Sequence, residues 1–278
     1  MYNHFKNIEN MYGKAYVQIP NGIFRDLSRN IKSRSQTNIK QASFAYAYLV
    51  TIAFLYKYAH FVDVDNGTYI QNKDIKQLLG YGKTTKTIDK IIKKNGILEQ
   101  IGLIKTTKDY PISVEYTDEK INDINMREFV TISMLGTDNI NYNMVKEIVK
   151  NNNYEIKEPS FMFEYDDDIG SLYNYERTHK VTLKEFLMFV QDEKLDNIDF
   201  LMYFFFKYKC LGLKDNLKSI ALYKIVLELG IGRDAFYLHL EKLKERNFIE
   251  VNHKGWRVAG EKHDKNIEAN DYIFKGIS

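Results

Sequence analysis

Lys83, Thr84, Thr85, Lys86, Lys90, Lys93 and Lys94 fall within one short stretch that contains a single acid, Asp89. At 100° per residue, Lys86, Lys90 and Lys93 stand at i, i+4 and i+7 on one helix face, and Ile88, Ile91 and Ile92 lie on the opposite one. Ammonium groups in such a row suit phosphate oxygens and guanine acceptors. Threonine hydroxyls and free backbone N–H groups at a helix start also reach phosphates. Lys105 and Lys108 follow at a distance that would let them touch a flanking nucleic-acid backbone. This is the chemistry of binding a polyanion, not of making or breaking bonds. An ordinary solvated lysine face has the same spacing, so the surrounding elements must decide between the two.

A second set is less decisive. Arg233, Tyr237, Lys244, His253, Lys254 and Arg257 have groups suited to DNA, but Asp234, Glu241 and Glu245 share the same predicted helix and dilute its charge. Dimerisation or protein docking fits that segment equally well. Catalytic patterns are missing. Gly82-Lys83-Thr84 matches the end of a phosphate-binding loop, yet Gln77 stands where its first glycine belongs and a helix, not a strand, precedes it. His4, His60, His179, His239, His253 and His263 show no i, i+4 pair and no cysteine companions, so the spacing predicts no zinc site. His60, closing an apolar helix, reads as a cap or core residue, and His179 beside Glu176 as an exposed loop residue. Asp166 to Asp168 read as an acidic loop tip, Cys210 as a core thiol, and Tyr203-Phe204-Phe205-Phe206 as core. The expectation is a protein with no catalytic residues, no metal and no cofactor.

Composition agrees. The 278 residues are 44% hydrophobic and 28% charged, a globular balance with length for about two domains. One cysteine allows no internal disulfide, which points to a reducing, cytoplasmic setting. The first 14 residues lack the apolar core of a signal peptide, and the longest apolar run, Ala42 to Tyr56, is short of a membrane span. The formal charge of +3 hides a strong asymmetry. Residues 1–108 carry 17 Lys and Arg against 7 Asp and Glu, residues 109–194 carry 9 against 18, and residues 195–278 carry 14 against 12. A basic block followed by an acidic one places the polyanion partner on the first. The same numbers leave room for the acidic block to cover the basic one.

The elements that would hold the lysines can be read in order. Gln41 to His60 is apolar nearly all round and predicts a buried helix. Asp65-Asn66-Gly67 is a turn and Thr68-Tyr69-Ile70 a short strand. Asn72 caps a helix over Lys73 to Leu79, Gly80 stops it, and Thr84 or Thr85 caps a longer helix through Lys86 to about Ile101. Leu103-Ile104 and Ile112 to Tyr116 then form a hairpin around the polar tip at 105–111. The pattern returns with helices from Asn197 or Asp199, from Ser219 and over Arg233 to Arg246, followed by Phe248 to Val251 and Trp256-Arg257-Val258. Both copies have the order of a winged helix-turn-helix. The expected fold is therefore mainly α with small β-hairpin wings. It comprises a basic winged helix over 1–116, an acidic connector over 117–194, a second winged helix over 195–259 and a polar tail over 260–278.

Gln18-Ile19-Pro20-Asn21-Gly22-Ile23-Phe24, the apolar helix, the Asn72 helix and Lys86 to Ile104 together resemble the N-terminal winged helix of RepA_N-type replication initiators of Gram-positive plasmids, over residues 15–116. The resemblance implies binding to repeated origin sequences as a dimer, with a C-terminal domain that recruits host replication proteins. Lys86, Lys90 and Lys93 would then lie on the DNA-reading helix, and the family has no catalytic residues to carry over. The expected function is sequence-specific double-stranded DNA binding by a plasmid or phage initiator. A winged-helix transcriptional regulator and a non-catalytic protein-interaction module remain the alternatives.

Overall fold

The computed structural model describes residues 1–121, 124–150, 153–162, 164–166, 169–171, 177–254 and 269–277, with side chains left out of account at 116–127, 164–166 and 169–171. The chain is a mixed α+β protein with several small antiparallel hairpins. It begins with α1 (Tyr2–Tyr12), β1 (Tyr16–Pro20), α2 (Ile23–Asn30), β2 (Lys32–Ser33), β3 (Gln36–Thr37) and α3 (Ile39–Lys57). Next come β4 (Val62–Asp63), β5 (Thr68–Tyr69), α4 (Asn72–Leu78), α5 (Asp89–Ile92), α6 (Ile97–Gln100), β6 (Lys105–Thr107), β7 (Pro111–Ile121) and β8 (Ile124–Thr131). The chain continues through α7 (Ile140–Ile148), β9 (Ile156–Glu158), β10 (Glu164–Asp166), β11 (Ile169–Ser171), β12 (Thr178–Thr182) and α8 (Leu183–Gln191). It closes with α9 (Asn197–Cys210), β13 (Leu217–Ile220), α10 (Leu222–Leu229), α11 (Arg233–Glu245), β14 (Ile249–Asn252) and β15 (Asn270–Phe274). Among the described residues, no helix is long and apolar enough to cross a membrane.

Two compact units result, and they do not follow chain order. Unit 1 holds residues 1–20 and 47–192, and unit 2 holds residues 21–46 and 193–278, with the cut falling inside α3. All but the last two residues of the expected connector, 117–194, thus belong to the same unit as residues 47–116. The cause is long-range strand pairing. β1 runs antiparallel to β12 with Val17 opposite Val181 and Ile19 opposite His179. Val17, Ile19 and Val181 are fully buried, so the alternation of β1 places one apolar face in the core. His179 is buried in that strand pair rather than exposed on a loop, because its face of β12 is the inward one.

The apolar run of α3 lies in the core, as its composition predicts: residues 42–59 are buried throughout, which a helix apolar on every side requires. In unit 1, Phe186 of α8 meets Phe54 of α3 at 5.7 Å and Phe5 of α1 at 5.1 Å between ring centroids. In unit 2, the aromatic run of α9 is core, with Tyr203, Phe204, Phe205 and Phe206 wholly buried. Phe24 of α2 stacks on Tyr46 and meets Phe205 edge-on at 5.5 Å, so residues 21–46 supply part of that core. Cys210 is buried there too, and burial pushes its thiol up to about 11.

Among the described residues of 193–278 in unit 2, the element order is helix, strand, helix, helix, strand, strand over α9, β13, α10, α11, β14 and β15. Its sheet runs in the order β13-β15-β14, all antiparallel. The central strand is Asn270–Phe274, inside the segment expected as a polar tail. Asp271, Tyr272 and Phe274 are buried, which ties that segment down. Trp256, Arg257 and Val258, expected as the return strand, lie outside the described residues. Ser219 does not open α10. It stands in β13, where its hydroxyl bonds the carboxylate of Asp271.

Candidate nucleic-acid interface

The lysine stretch is built on α4 and on the turns and short helices after it. Gln71, not Asn72, caps α4, in a reciprocal capping box with Asp74. Asn72 is used elsewhere: its side-chain oxygen accepts from the hydroxyl of Tyr48 at 2.7 Å, fixing the helix to α3. Ile75 and Leu79 are buried beneath it. Residues 81–88 then form turns, where a helix start at Thr84 or Thr85 is expected from sequence. Thr84 is exposed and Thr85 half-buried, and neither caps α5, which begins at Asp89. The turn is braced from below. Lys76, 6% exposed, donates to the carbonyl of Thr85 at 3.0 Å and pairs with the carboxylate of Asp89.

The continuous helix expected over Lys86 to Ile101 is broken in two. Lys93 closes α5 in an extended conformation, Asn95 takes a positive φ of 58°, and α6 starts after Gly96. Gly96 is the reason the halves can fold so tightly. A Cβ there would lie 2.7 Å from the carbonyl oxygen of Lys93 and 2.8 Å from that of Lys90, distances that real Cβ atoms do not reach. The i, i+4, i+7 stripe is therefore not a helix face. Lys83 and Lys86 ride on turns, Lys90 on α5, Lys93 at its end and Lys94 just beyond, all exposed. Ile88, Ile91, Ile92 and Leu98 hold the segment to the core and are fully buried or nearly so. Among the described residues, Lys83, Lys86, Lys90 and Lys93 have no carboxylate partner.

The expected hairpin over 103–116 is also different. β6 pairs with β9, Lys105 opposite Glu158 and Thr107 opposite Ile156, whereas β7 turns back with β8 as a separate hairpin. Residues 108–155 thus lie between the paired strands β6 and β9, whereas the sequence predicts the return strand at 112–116. Glu99 of α6 locks the junction by accepting from the backbone N–H of Thr106 at 2.7 Å and from that of Asn95. Burial raises the Glu99 carboxyl, but the Thr106 and Asn95 bonds outweigh it and hold the group below the usual carboxylate range. Lys105 is exposed on β6. Lys94 lies 3.8 Å from Glu155, and Lys108 donates to the side chain of Asn153 at 3.2 Å. The site residues from Lys83 to Lys108 therefore share one braced region, at its turns, α5 and the β6–β9 edge.

The second set is placed on α11 and at the end of β14, inside unit 2. Arg233 and Tyr237 are exposed on α11, and His253 and Lys254 are exposed after β14. Lys244 is tied to Glu241 at 2.8 Å and Lys254 to Asp271 at 2.5 Å. Arg257 lies outside the described residues. Two groups that sequence reading passed over organise this unit. Asp199 is fully buried at the start of α9 and accepts from His239 of α11 at 2.7 Å and from Lys242 at 3.1 Å. Asp196 caps α9 through the N–H groups of Ile198 and Asp199 and also meets Lys242 at 3.3 Å. The i, i+3 spacing of Asp196 with Asp199 and of His239 with Lys242 was the available signal. With the Lys242 ammonium among its members, the cluster reads as a salt-bridged staple from α11 to α9.

No family model, no curated protein and no solved structure matches this chain. The chemistry the arrangement offers is therefore argued from its residues. A cluster of exposed ammonium groups on a braced turn has the charge and the donors that suit phosphate oxygens.

Proposed function

We propose that this protein is a sequence-specific double-stranded-DNA-binding protein built from two winged helices, acting as a replication initiator of a plasmid or phage. The observation that carries the reading is the run of exposed lysines without carboxylate partners among the described residues, Lys83, Lys86, Lys90 and Lys93, held in a fixed turn by the buried Lys76. Rigid placement is what separates a reading surface from a solvated lysine face, since a floppy one would lose side-chain and backbone freedom on binding.

The fold supports the same reading. A winged helix has the order helix, strand, helix, helix, strand, strand with the first strand beside the last, which is the order of the described residues of 193–278 in unit 2 and of their β13-β15-β14 sheet. Unit 1 keeps a version of it. α3, the β4–β5 hairpin, α4, the α5–α6 pair and β6 follow in sequence, and β9 takes the place of the returning strand. Tyr154, just before β9, donates to the carbonyl of Ile70, just after β5, at 2.6 Å, which brings the two strand ends close although β4-β5 and β6-β9 are separate two-stranded sheets. In this reading the wing has been enlarged by residues 108–155, and Lys105 and Lys108 stand at its base.

Unit 2 fits a different use. Its candidate lysines are internally paired, Lys244 with Glu241 and Lys254 with Asp271, and Tyr223, Leu227, Tyr237 and Leu238 are exposed on α10 and α11. These features suit a protein partner such as a second copy or a host replication protein better than DNA. The experiment is protection mapping on the DNA of the source replicon with the full chain. An initiator protects a set of direct repeats. A single protected operator favours a transcriptional regulator, and no protection favours the protein-interaction reading.

A further inference from the structure

The histidines that sequence spacing scatters are brought together at one place in unit 1. His4 of α1 and Asp63 of β4 are buried, and His60 stands between α3 and β4. One ligand atom from each of His4, His60 and Asp63 lies within 4.8 Å of the others, and the two imidazole rings meet edge to face at 5.6 Å. His4 Nδ1 lies 3.2 Å from the carbonyl oxygen of His60. A carbonyl only accepts, so Nδ1 carries the proton and Nε2 carries the lone pair. The hydroxyl of Thr68, 3.0 Å away, donates to that lone pair. An imidazole whose second nitrogen is held by a backbone carbonyl is the arrangement found for metal-ligating histidines.

The other two groups are equally prepared. His60 Nε2 is buried and has no hydrogen-bond partner among the described residues. Asp63 is oriented by Asn7 and by both the side chain and backbone N–H of Asn66, at 2.9 to 3.1 Å.

We propose that His4, His60 and Asp63 bind one zinc ion, which clamps α1 to the junction between α3 and β4. Two imidazoles and one carboxylate, with water as the fourth ligand, suit zinc-class ions, whereas calcium and magnesium require more oxygen donors. Thr68 gives up its bond to His4 when the ion enters.

The test uses the full chain without a histidine tag, near neutral pH, titrated with Zn2+ by calorimetry and with Co2+ by visible absorption. One ion per chain, a tetrahedral cobalt spectrum and a raised unfolding temperature with Zn2+ are expected. His60→Gln, checked for its fold by circular dichroism without metal, loses at least about tenfold in affinity. Thr68→Val, which removes only the competing hydroxyl, binds at least as tightly as the parent. No saturable site, an octahedral cobalt spectrum, or equal binding by His60→Gln overturns the proposal. The cobalt spectrum of the unaltered chain decides the matter even if a variant fails to fold.

Discussion

Lys76, buried on α4, takes as its ion partner Asp89, the single acid between residues 83 and 94. The pairing does two things at once. It fixes the turn by a further bond from the same ammonium to Thr85, and it occupies the one carboxylate that would otherwise neutralise Lys86 or Lys90. Lys76→Met is expected to destabilise unit 1 by about 1.5–3 kcal/mol, the range for a hydrogen bond to a charged group. It should also weaken DNA binding although the residue itself is inaccessible, with the salt dependence nearly kept. Lys90→Glu should lower both. Thermal unfolding and fluorescence anisotropy at several salt concentrations check this.

Gly96 is the position that allows α5 and α6 to fold back on each other. Gly96→Ala places a methyl against the carbonyls of Lys90, Ile91 and Lys93 and should cost about 1–3 kcal/mol, as overpacking does. Because those carbonyls carry the lysines, affinity for DNA falls as well. A variant as stable as the parent in chemical denaturation would contradict this geometry.

Unit 2 should not fold without residues 21–46. Phe24 and Tyr46 meet Phe205, Phe200 and Phe204 of α9, and Gly230, at a φ of 65°, leaves room for the side chain of Thr37. A fragment of residues 195–278 alone is expected to lack a cooperative unfolding transition, read by circular dichroism. In the full chain, Phe24→Ala should cost about 3–5 kcal/mol.

These contacts mark where sequence reading succeeds and where it stops. The buried helix α3, the turn at Asp65 to Gly67 and the apolar faces of α4 and α11 were legible, because each is encoded by neighbours within one or two turns. Gly96 was visible as a weak point, but helix propensity alone, a matter of about 1 kcal/mol, does not say that a chain will fold back there. The pairing of β1 with β12, of β6 with β9 and the central place of β15 depend on contacts across tens to more than a hundred residues, which periodicity does not report. His179 was misplaced for that reason. The cluster of His4, His60 and Asp63 was invisible for the same one, since nothing in the spacing of residues 4 and 60 shows that α1 returns to the end of α3.

The Asp196 cap gives a pH dependence with a definite sign. Burial raises its carboxyl, but His239, Lys242 and the backbone N–H groups of Ile198 and Asp199 outweigh burial and hold its pKa below the ordinary value. A carboxyl depressed in the folded state stabilises above its unfolded pKa of about 3.9, and that contribution is lost as pH falls through the folded value. Unit 2 should therefore lose stability below about pH 4. Asp196→Ala should remove the cap, about 0.5–2 kcal/mol, and flatten this part of the profile. Unfolding midpoints measured between neutral and acidic pH check both statements.

The most direct measurement is titration of labelled duplexes covering the source replicon with the intact chain and with Lys86→Glu/Lys90→Glu/Lys93→Glu across a range of salt concentrations. The account predicts tight, salt-steep binding to a repeated element. The triple variant, still folded by circular dichroism, should lose that binding, and any residual log-log salt slope should be shallower by about 3, at roughly 0.9 per phosphate contact. Binding that is absent, or indifferent to sequence and unchanged by the three substitutions, would contradict the assignment of this turn as a DNA-reading surface.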